Sequence, residues 1–227
     1  MKITIDRYWY SFFERYYLLN SLVYNINTIY NTNDTVYPHV ENVLNAFKYT
    51  KRLDIKCIII GQDPYINEKN NIPEAMGLSF SIDKSIKVLP PTLRNIFKNL
   101  IKFGHIEKEP ENGDLTRWAK QGVLLLNSSL TTIKGKSNAH ASHWTYITDK
   151  IIEEISSETD NLVFILLGQK AISKEKIICK YNHHKIIKAS HPSPHSYNKT
   201  SKNVEAFINV DVFGECNKFL KKNAIKW

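Results

Sequence analysis

The chain has 227 residues and a formal net charge of +9, with 31 Lys and Arg against 22 Asp and Glu. Its 42% hydrophobic content excludes global disorder, three cysteines exclude a disulfide scaffold, and no apolar run reaches the roughly 18 residues of a membrane span. The first thirty residues lack the apolar core of a signal peptide, so we expect one intracellular globular domain without membrane contact. The basic charge is typical of nucleic-acid binders, although an AT-rich genome that favours Lys explains it about as well.

The sequence predicts several helices, beginning near the start of the chain. Aromatic and aliphatic side chains recur at helical spacing over residues 8–30 and predict one N-terminal helix, and residues 43–47 predict a short second helix. Further along, the pair Pro90-Pro91 is typical of a helix start, and Gly104 of its stop. Ser142 is the predicted cap of another helix.

Four short apolar runs alternate with these helices. They lie at residues 57–60, 123–126, 162–167 and 185–188, the last being the weakest. Short, continuous apolar strands that alternate with helices are typical of a parallel sheet covered on both faces. The prediction is therefore an α/β fold, a single domain with a central, mostly parallel four-stranded sheet flanked by helices on both faces.

A polar turn follows each predicted strand. Residues 61–65 follow the first strand, Asn127 ends the second, residues 168–169 follow the third, and residues 190–194 follow the fourth. In open parallel sheets, ligands bind at the carboxyl ends of the strands. We therefore expect these four turns to converge on one cleft.

Asp63 and His191 are the candidate reacting groups of this cleft. A carboxylate at the mouth of a cleft can stabilise a cation or orient a water, although a lone Asp-Pro is more often a turn. A histidine that faces it across the cleft can donate a hydrogen bond to a developing anion, although a lone His before a proline is usually structural.

Asn127 and Phe80 are the candidate recognition groups. An Asn at the end of an apolar strand must find a hydrogen-bond partner, and its amide offers a donor and an acceptor that complement a cyclic imide. An Asn that pins a loop is the alternative. Phe80 fits either the core or a platform on which a base stacks, and on its own the core is favoured.

Sequence blocks along most of the chain match a known family. GQDPY at 61–65 is similar to the water-activating motif of the family 1 uracil-DNA glycosylases, and HPSP at 191–194 to the start of their minor-groove motif. Further blocks occur in the family's order: VYP at 36–38, NAF at 45–47, PPTL at 90–93, GDL at 113–115, WAKQGVLLLN at 118–127 and IKW at 225–227. The resemblance makes residues 1–227 one glycosylase domain, with a weaker match over the helical part at 1–35.

The resemblance implies hydrolysis of the N-glycosidic bond of deoxyuridine in single- or double-stranded DNA. The nucleotide must leave the base stack, because the bond cannot be reached inside it. Free uracil is then released and an abasic site remains, which is the first step of base-excision repair. The family requires no metal or redox cofactor and indicates a monomer.

The resemblance also implies roles residue by residue. Asp63 would stabilise the sugar cation and position the water, and His191 would donate to the uracil O2 as charge develops there. Asn127 would read the uracil edge and reject cytosine, and Tyr65 would collide with the 5-methyl group of thymine. The other implied residues line the pocket or contact DNA: Gln62 and Phe80 in the pocket, and Pro91, Thr92, Gly168, Gln169, Ser193, Pro194 and His195 along the DNA.

The chain departs from the family pattern at four places. His195 stands where the family has a leucine wedge that fills the gap left by the flipped base, and Gln169 stands where a serine is usual. The loop at 66–76 is longer than the family's and starts with Ile66 where a histidine is common. Residues 197–211 indicate an insertion, which is either a tolerated surface loop or a contact for DNA or for a replication or repair protein.

Two other functions stay open. A DNA-binding replication accessory with little or no activity is favoured by the altered wedge and by apolar residues of the insertion, namely Val204, Phe207 and Ile208. Retention of all the predicted pocket residues argues against it, because a tether would not need them. A glycosylase for another damaged base is the second, and Tyr65 together with Asn127 argues for uracil over thymine-derived bases.

Overall fold

The computed structural model describes residues 5–181, 183–201 and 204–227, and no helix in these ranges is long and apolar enough to cross a membrane. The α-helices of these ranges are α1 (Arg7–Arg15), α2 (Leu19–Tyr30), α3 (Asn45–Tyr49), α4 (Pro91–Lys102), α5 (Thr116–Ala119), α6 (Ala141–Glu158), α7 (Gln169–Ile172), α8 (Glu175–Ile178) and α9 (Val212–Leu220). The strands are β1 (Val36–Tyr37), β2 (Cys57–Gly61), β3 (Glu68–Lys69), β4 (Ile72–Pro73), β5 (Val123–Asn127), β6 (Thr132–Ile133), β7 (Val163–Leu167) and β8 (Lys185–Ala189). Short 3₁₀ turns lie at Val40–Asn42, Arg52–Asp54, Phe207–Asn209 and Lys221–Asn223.

The central sheet has the strand order β5, β2, β7, β8, and every neighbouring pair is parallel. Each strand lies within one residue of a predicted apolar run, and β2, β5 and β7 are buried along their whole length. Because neither face of these three strands meets water, their sequence must be apolar without interruption. Helices α3 and α5 contact β5, and α9 contacts β7 and β8. The predicted α/β fold is confirmed.

The path of the chain through the sheet fixes where a ligand can bind. β2 is the first of the four strands in sequence but lies in the interior of the sheet. The chain passes from β2 to β5 on one side, then crosses to β7 and β8 on the other. Such a reversal opens a crevice at the carboxyl ends of the strands. In the register of β2 with β5, Gly61 stands opposite Asn127, so the turns that follow these strands begin side by side.

The prediction of a single N-terminal helix is wrong, because residues 8–30 form two helices. α1 ends at Arg15, and Tyr17 adopts a left-handed backbone conformation with φ of 57°. The Leu18 N–H donates to the Phe13 carbonyl at 2.8 Å, the six-to-one bond of a Schellman turn. The turn buries Leu18 and redirects the chain, so that α1 and α2 each place an apolar face on the core.

The starts of α4 and α6 differ in how well they match the prediction. α4 begins at Pro91 as predicted, and Gly104, with φ of 73°, follows its end. Ser142 is not the cap of α6, because it lies inside the first turn of that helix. The helix instead starts from His140, which is buried and has its Nδ1 3.0 Å from the Thr131 hydroxyl oxygen. This packing fixes the start without a serine cap.

The long loop at 66–76 forms a small hairpin. Strands β3 and β4 pair in antiparallel register, and Asn70 and Asn71 at the tip are both left-handed, with φ of 50° and 60°. Two successive positive φ angles are what a two-residue hairpin turn requires, and Asn tolerates them well. Glu68 at the hairpin base accepts a hydrogen bond from Lys134 Nζ at 2.5 Å, which ties the hairpin to the β6–α6 loop.

The segment at 197–211 packs against the body of the chain, with residues 202 and 203 outside the described part. Val204 and Phe207 are buried, and the Asn99 side chain of α4 donates to the Phe207 carbonyl at 2.8 Å. These two side chains therefore offer no apolar surface to a protein partner, which the accessory alternative would need. They are apolar because they fill the core of this chain.

Candidate active site

A cavity of about 250 Å³ opens at the carboxyl ends of β2 and β5. Three of the four predicted turns line it, and the fourth, at Gly168, packs behind one of its walls. Every residue predicted for the pocket contributes to the lining, together with one of the predicted DNA contacts: Gln62, Asp63, Tyr65, Phe80, Asn127, His191 and Thr92. The expected convergence of distant turns on one cleft is thus observed.

Asp63 follows β2 and is half-buried in this cavity. Both of its hydrogen bonds go to one carboxylate oxygen: the Ser137 hydroxyl donates to Oδ2 at 2.8 Å, and the Asn138 N–H donates to the same oxygen at 2.7 Å. The other oxygen, Oδ1, forms no hydrogen bond with any residue that the structure describes. An Asp that only stabilised a turn would accept from the backbone two residues further on, and Asp63 does not do so.

His191 lies in the turn that follows β8, and its environment fixes its proton. The Ser193 N–H donates to Nδ1 at 3.1 Å, so Nδ1 is an acceptor and carries no proton. Burial lowers the pKa of His191 below its usual 6.5, and the nearby Asp63 opposes this only in part. The ring is therefore neutral at physiological pH, with its proton on Nε2, which makes Nε2–H a hydrogen-bond donor.

Asn127 ends β5 and is 7% exposed. Its side-chain amide forms no hydrogen bond with any described residue. Asn127 therefore does not pin a loop within the described part of the chain. A nearly buried amide without a partner costs stability unless a ligand or water completes it. The amide lines the cavity and so offers a donor and an acceptor to whatever binds there.

Gly61 explains how the Asn127 amide is placed. A Cβ at Gly61 would lie 2.2 Å from Asn127 Oδ1 and 2.9 Å from Ser79 Cβ. No side chain fits between these atoms, so the glycine at the end of β2 allows the amide of β5 to lie directly against the neighbouring strand. Gly168 has a similar relation to His191, whose Cβ would be 2.8 Å from an added Cβ.

Tyr65 and Phe80 form the aromatic wall of the cavity. The Tyr65 hydroxyl donates to the Phe80 carbonyl at 3.2 Å, and burial raises the pKa of Tyr65, so the hydroxyl stays neutral. Phe80 is half-buried and has φ of 62°, a strained conformation for an aromatic residue. Its ring centroid lies 6.0 Å from that of His191. The ring faces both core and cavity, so the two interpretations of Phe80 are compatible.

The residues predicted to contact DNA differ in their exposure. Thr92 lines it, and Pro91, Gln169, Pro194 and His195 are exposed, whereas Ser193 is half-buried. Gly168 is buried behind His191, so it supports that ring and presents no exposed surface.

Ser137 and Asn138 are site residues that the sequence analysis missed. Besides bonding Asp63, both accept from the Gln62 side chain, whose Nε2 lies 2.8 Å from Asn138 Oδ1 and 3.3 Å from Ser137 Oγ. Their only sequence signal is a short polar loop before a helix, which any surface loop shares. The Gln62 side chain therefore holds this loop.

The cavity can stabilise positive charge on one side and negative charge on the other. A free carboxylate oxygen stabilises positive charge, and a neutral imidazole N–H together with an amide stabilises negative charge. This combination suits a bond that breaks with charge separation, its cationic part near Asp63 and its anionic part near His191 and Asn127. Among the described residues, no group of three His, Cys, Asp or Glu side chains is arranged to hold a metal ion.

Comparison with known proteins gives the family. The model of the Uracil DNA glycosylase superfamily matches residues 47–212, which include all four strands of the sheet and the whole lining of the cavity. The chain belongs to the uracil DNA glycosylase superfamily.

Individual members of the superfamily are similar over most of the chain. A uracil-DNA glycosylase of Francisella tularensis subsp. tularensis is 40% identical over 196 residues, which cover 85% of this chain and 84% of that protein. The crystal structure of mimivirus uracil-DNA glycosylase has a TM-score of 0.90 at 31% identity and covers 98% of this chain and 87% of its own. A UNG crystal structure from Nitratifractor salsuginis, at 18% identity and a TM-score of 0.65, shares the fold over 98% of this chain and 94% of its own.

Proposed function

We propose that this chain is a family 1 uracil-DNA glycosylase that flips deoxyuridine out of DNA and starts base-excision repair. Membership of the superfamily makes it a hydrolase of N-glycosyl bonds. The substrate is uracil-containing DNA, single- or double-stranded, and the products are free uracil and an abasic site. The nucleotide must leave the stack because the N-glycosidic bond cannot be reached inside it.

The reaction divides between the two sides of the cavity. The C1′–N1 bond breaks with its electron pair going to uracil, and a water oxygen bonds to C1′. Asp63 stabilises the cationic sugar and accepts the water proton on Oδ1, the oxygen without a hydrogen bond among the described residues. His191 donates from Nε2 to the uracil O2, where negative charge develops.

Base selection falls to Asn127 and Tyr65. The Asn127 amide donates to the uracil O4 and accepts from N3–H, and cytosine fails because it presents a donor in place of the O4 acceptor. Tyr65 occupies the space beside C5, where thymine carries a methyl group. Phe80 stacks on the base from the aromatic wall. In a closed site, a ligand that lacks or reverses a hydrogen bond is rejected far more strongly than one that differs by a single methylene group.

Most of the residues that the resemblance implies as DNA contacts are proposed to hold the DNA. Pro91, Thr92, Gln169 and Ser193 contact phosphates next to the flipped nucleotide, where they fix the register of the strand. Pro194 and the exposed His195 enter the minor groove, and His195 fills the gap left by the base.

The observation that carries this proposal is the Asn127 amide, which has no hydrogen-bond partner among the described residues and lines the same cavity as Asp63 and His191. The test is release of free base from oligonucleotides that carry a single uracil, thymine or cytosine, with EDTA present. We expect release from the uracil oligonucleotide alone. Measurable DNA binding without release of any base would contradict the proposal and favour a DNA-binding accessory.

One of the two observations that favour the accessory function is weakened by the structure. Of the three apolar residues of the 197–211 segment, Val204 and Phe207 are buried in the core and Ile208 is half-buried. The altered wedge at His195 is the remaining support, and it bears on how well DNA is held rather than on the reaction.

A further inference from the structure

The loop between β6 and α6 supplies both hydrogen bonds that Asp63 receives. The Ser137 hydroxyl and the Asn138 N–H converge on Oδ2, at 2.8 and 2.7 Å. The loop lies far from Asp63 in sequence and was joined to it only by folding. Two donors on one oxygen restrict rotation of the carboxylate more than either could alone.

The direction of the Ser137 hydroxyl proton follows from its neighbours. Gln62 Nε2 lies 3.3 Å from Ser137 Oγ and can only donate there, so Oγ accepts from Gln62. The hydroxyl proton is then directed to Asp63. Gln62 also donates to the side-chain Oδ1 of Asn138 at 2.8 Å, so one side chain contacts both residues that donate to Asp63.

Hydrogen bonds to two other segments of the chain hold this loop. The Gly135 N–H donates to the Ile66 carbonyl at 2.9 Å, and the Lys134 N–H donates to the Thr35 carbonyl at 2.8 Å. Lys134 also pairs with Glu68 of the hairpin. The β3–β4 hairpin and the segment before β1 thus fix the position from which Ser137 reaches Asp63.

We infer that Ser137 is a positioning residue for Asp63. Together with the Asn138 N–H, its hydroxyl anchors Oδ2, and the anchored carboxylate directs Oδ1 toward the sugar and the attacking water. The inference rests on the proposed function. Ser137 is exposed on the rim of the cavity in the free chain, and DNA bound there would cover this hydrogen bond and strengthen it.

The first test is Ser137→Ala in single-turnover excision of uracil at saturating enzyme. We expect the rate to fall about tenfold, because the carboxylate loses one of two anchors. The Kd for a duplex with a non-hydrolysable deoxyuridine analogue should change less than about twofold, since Ser137 acts on Asp63 and not on DNA. Ser137→Thr should restore most of the rate, and Ser157→Ala, which removes an exposed hydroxyl of α6, is the matched control.

The second test asks whether Ser137 acts through Asp63. In an Asp63→Ala background, Ser137→Ala should change the residual excision rate less than about twofold, because the group it positions is gone. An equal loss in both backgrounds, no rescue by Ser137→Thr, or an unchanged rate in the single variant would overturn the inference. Absence of uracil release by the wild-type chain would instead overturn the proposed function, and the inference with it.

Discussion

Two groups in the cavity keep hydrogen-bonding capacity that the folded chain leaves unused. The Asn127 amide and Asp63 Oδ1 have no partner among the described residues, although both side chains are at least half-buried. Both groups line the cavity, so a molecule that enters it can form hydrogen bonds with the amide and donate one to the carboxylate oxygen.

Tyr65→Ala tests how the cavity excludes thymine. Removing the ring opens the space beside C5, so we expect thymine release to rise at least about tenfold above the wild-type background, as measured on a single-strand oligonucleotide. Tyr24→Ala, which removes an exposed tyrosine of α2, should leave thymine release at background. No thymine release from the Tyr65 variant would mean that another group meets the methyl.

The pH dependence of excision reports the protonation of His191. Burial lowers the pKa of this histidine, so the neutral ring persists on the acid side of its usual 6.5. We therefore expect the single-turnover rate to stay flat from about pH 8 down to 6.5 and to fall only at lower pH. A rate that halves as the pH reaches 6.5 would show that the ring titrates normally. His191→Asn should lower the rate and remove this dependence.

The site residues differ in how far sequence reasoning could reach them. Asp63, Asn127 and His191 follow strands whose apolar runs mark where a parallel sheet ends, so their convergence is predictable from topology. Ser137 and Asn138 lie in a polar loop with no period, and their contact with Asp63 depends on the path of a distant segment. A single sequence carries no signal for that path.

The secondary-structure elements also differ in how well the sequence predicts them. β2, β5 and β7 are buried on both faces. Strands buried in this way need apolar side chains on both faces, so the sequence shows them as unbroken apolar runs. The break between α1 and α2 depends on one left-handed residue, Tyr17. A tyrosine rarely adopts that conformation, so periodicity continues through the break and the sequence predicts a single helix.

Gly61→Ala tests the contact between the ends of β2 and β5. The new Cβ would lie 2.2 Å from Asn127 Oδ1, so the amide must move. We expect kcat/KM for uracil to fall at least about tenfold and the free energy of unfolding to drop by about 1–3 kcal/mol. Both are measured on the same preparation, by excision kinetics and by urea unfolding.

Gly113→Ala is the matched control for that experiment. Its Cβ would lie 2.5 Å from side-chain atoms of Ile82 and Leu93, so the steric cost is comparable, but it touches no atom of Asn127. This variant should lose stability and keep its kcat/KM at temperatures where it is folded. Equal losses of kcat/KM in the two variants would show that overpacking alone, and not displacement of Asn127, impairs excision.

On the scale of the whole molecule, the net charge of +9 suits a long polyanion. His195 is exposed in the turn after β8, beside the proposed path of the DNA. An imidazole is a poorer apolar plug than leucine in the gap left by a flipped base.

His195→Leu should therefore speed excision from duplex DNA by roughly threefold to tenfold, and from single strands by much less, because only the duplex has a gap to fill. The ratio of the two single-turnover rates measures the effect. His183→Leu changes an exposed histidine in the turn before β8 and should leave the ratio unchanged. An equal response of both substrates would remove His195 from the wedge position.

Cleavage of the bond between uracil and its sugar can be followed on a duplex with one deoxyuridine, in a time course of free uracil and of the intact strand mass. We expect uracil to appear in equal amount to an unbroken strand that carries one abasic site. A strand that stays unchanged while bound, or that loses a base other than uracil, would contradict this expectation.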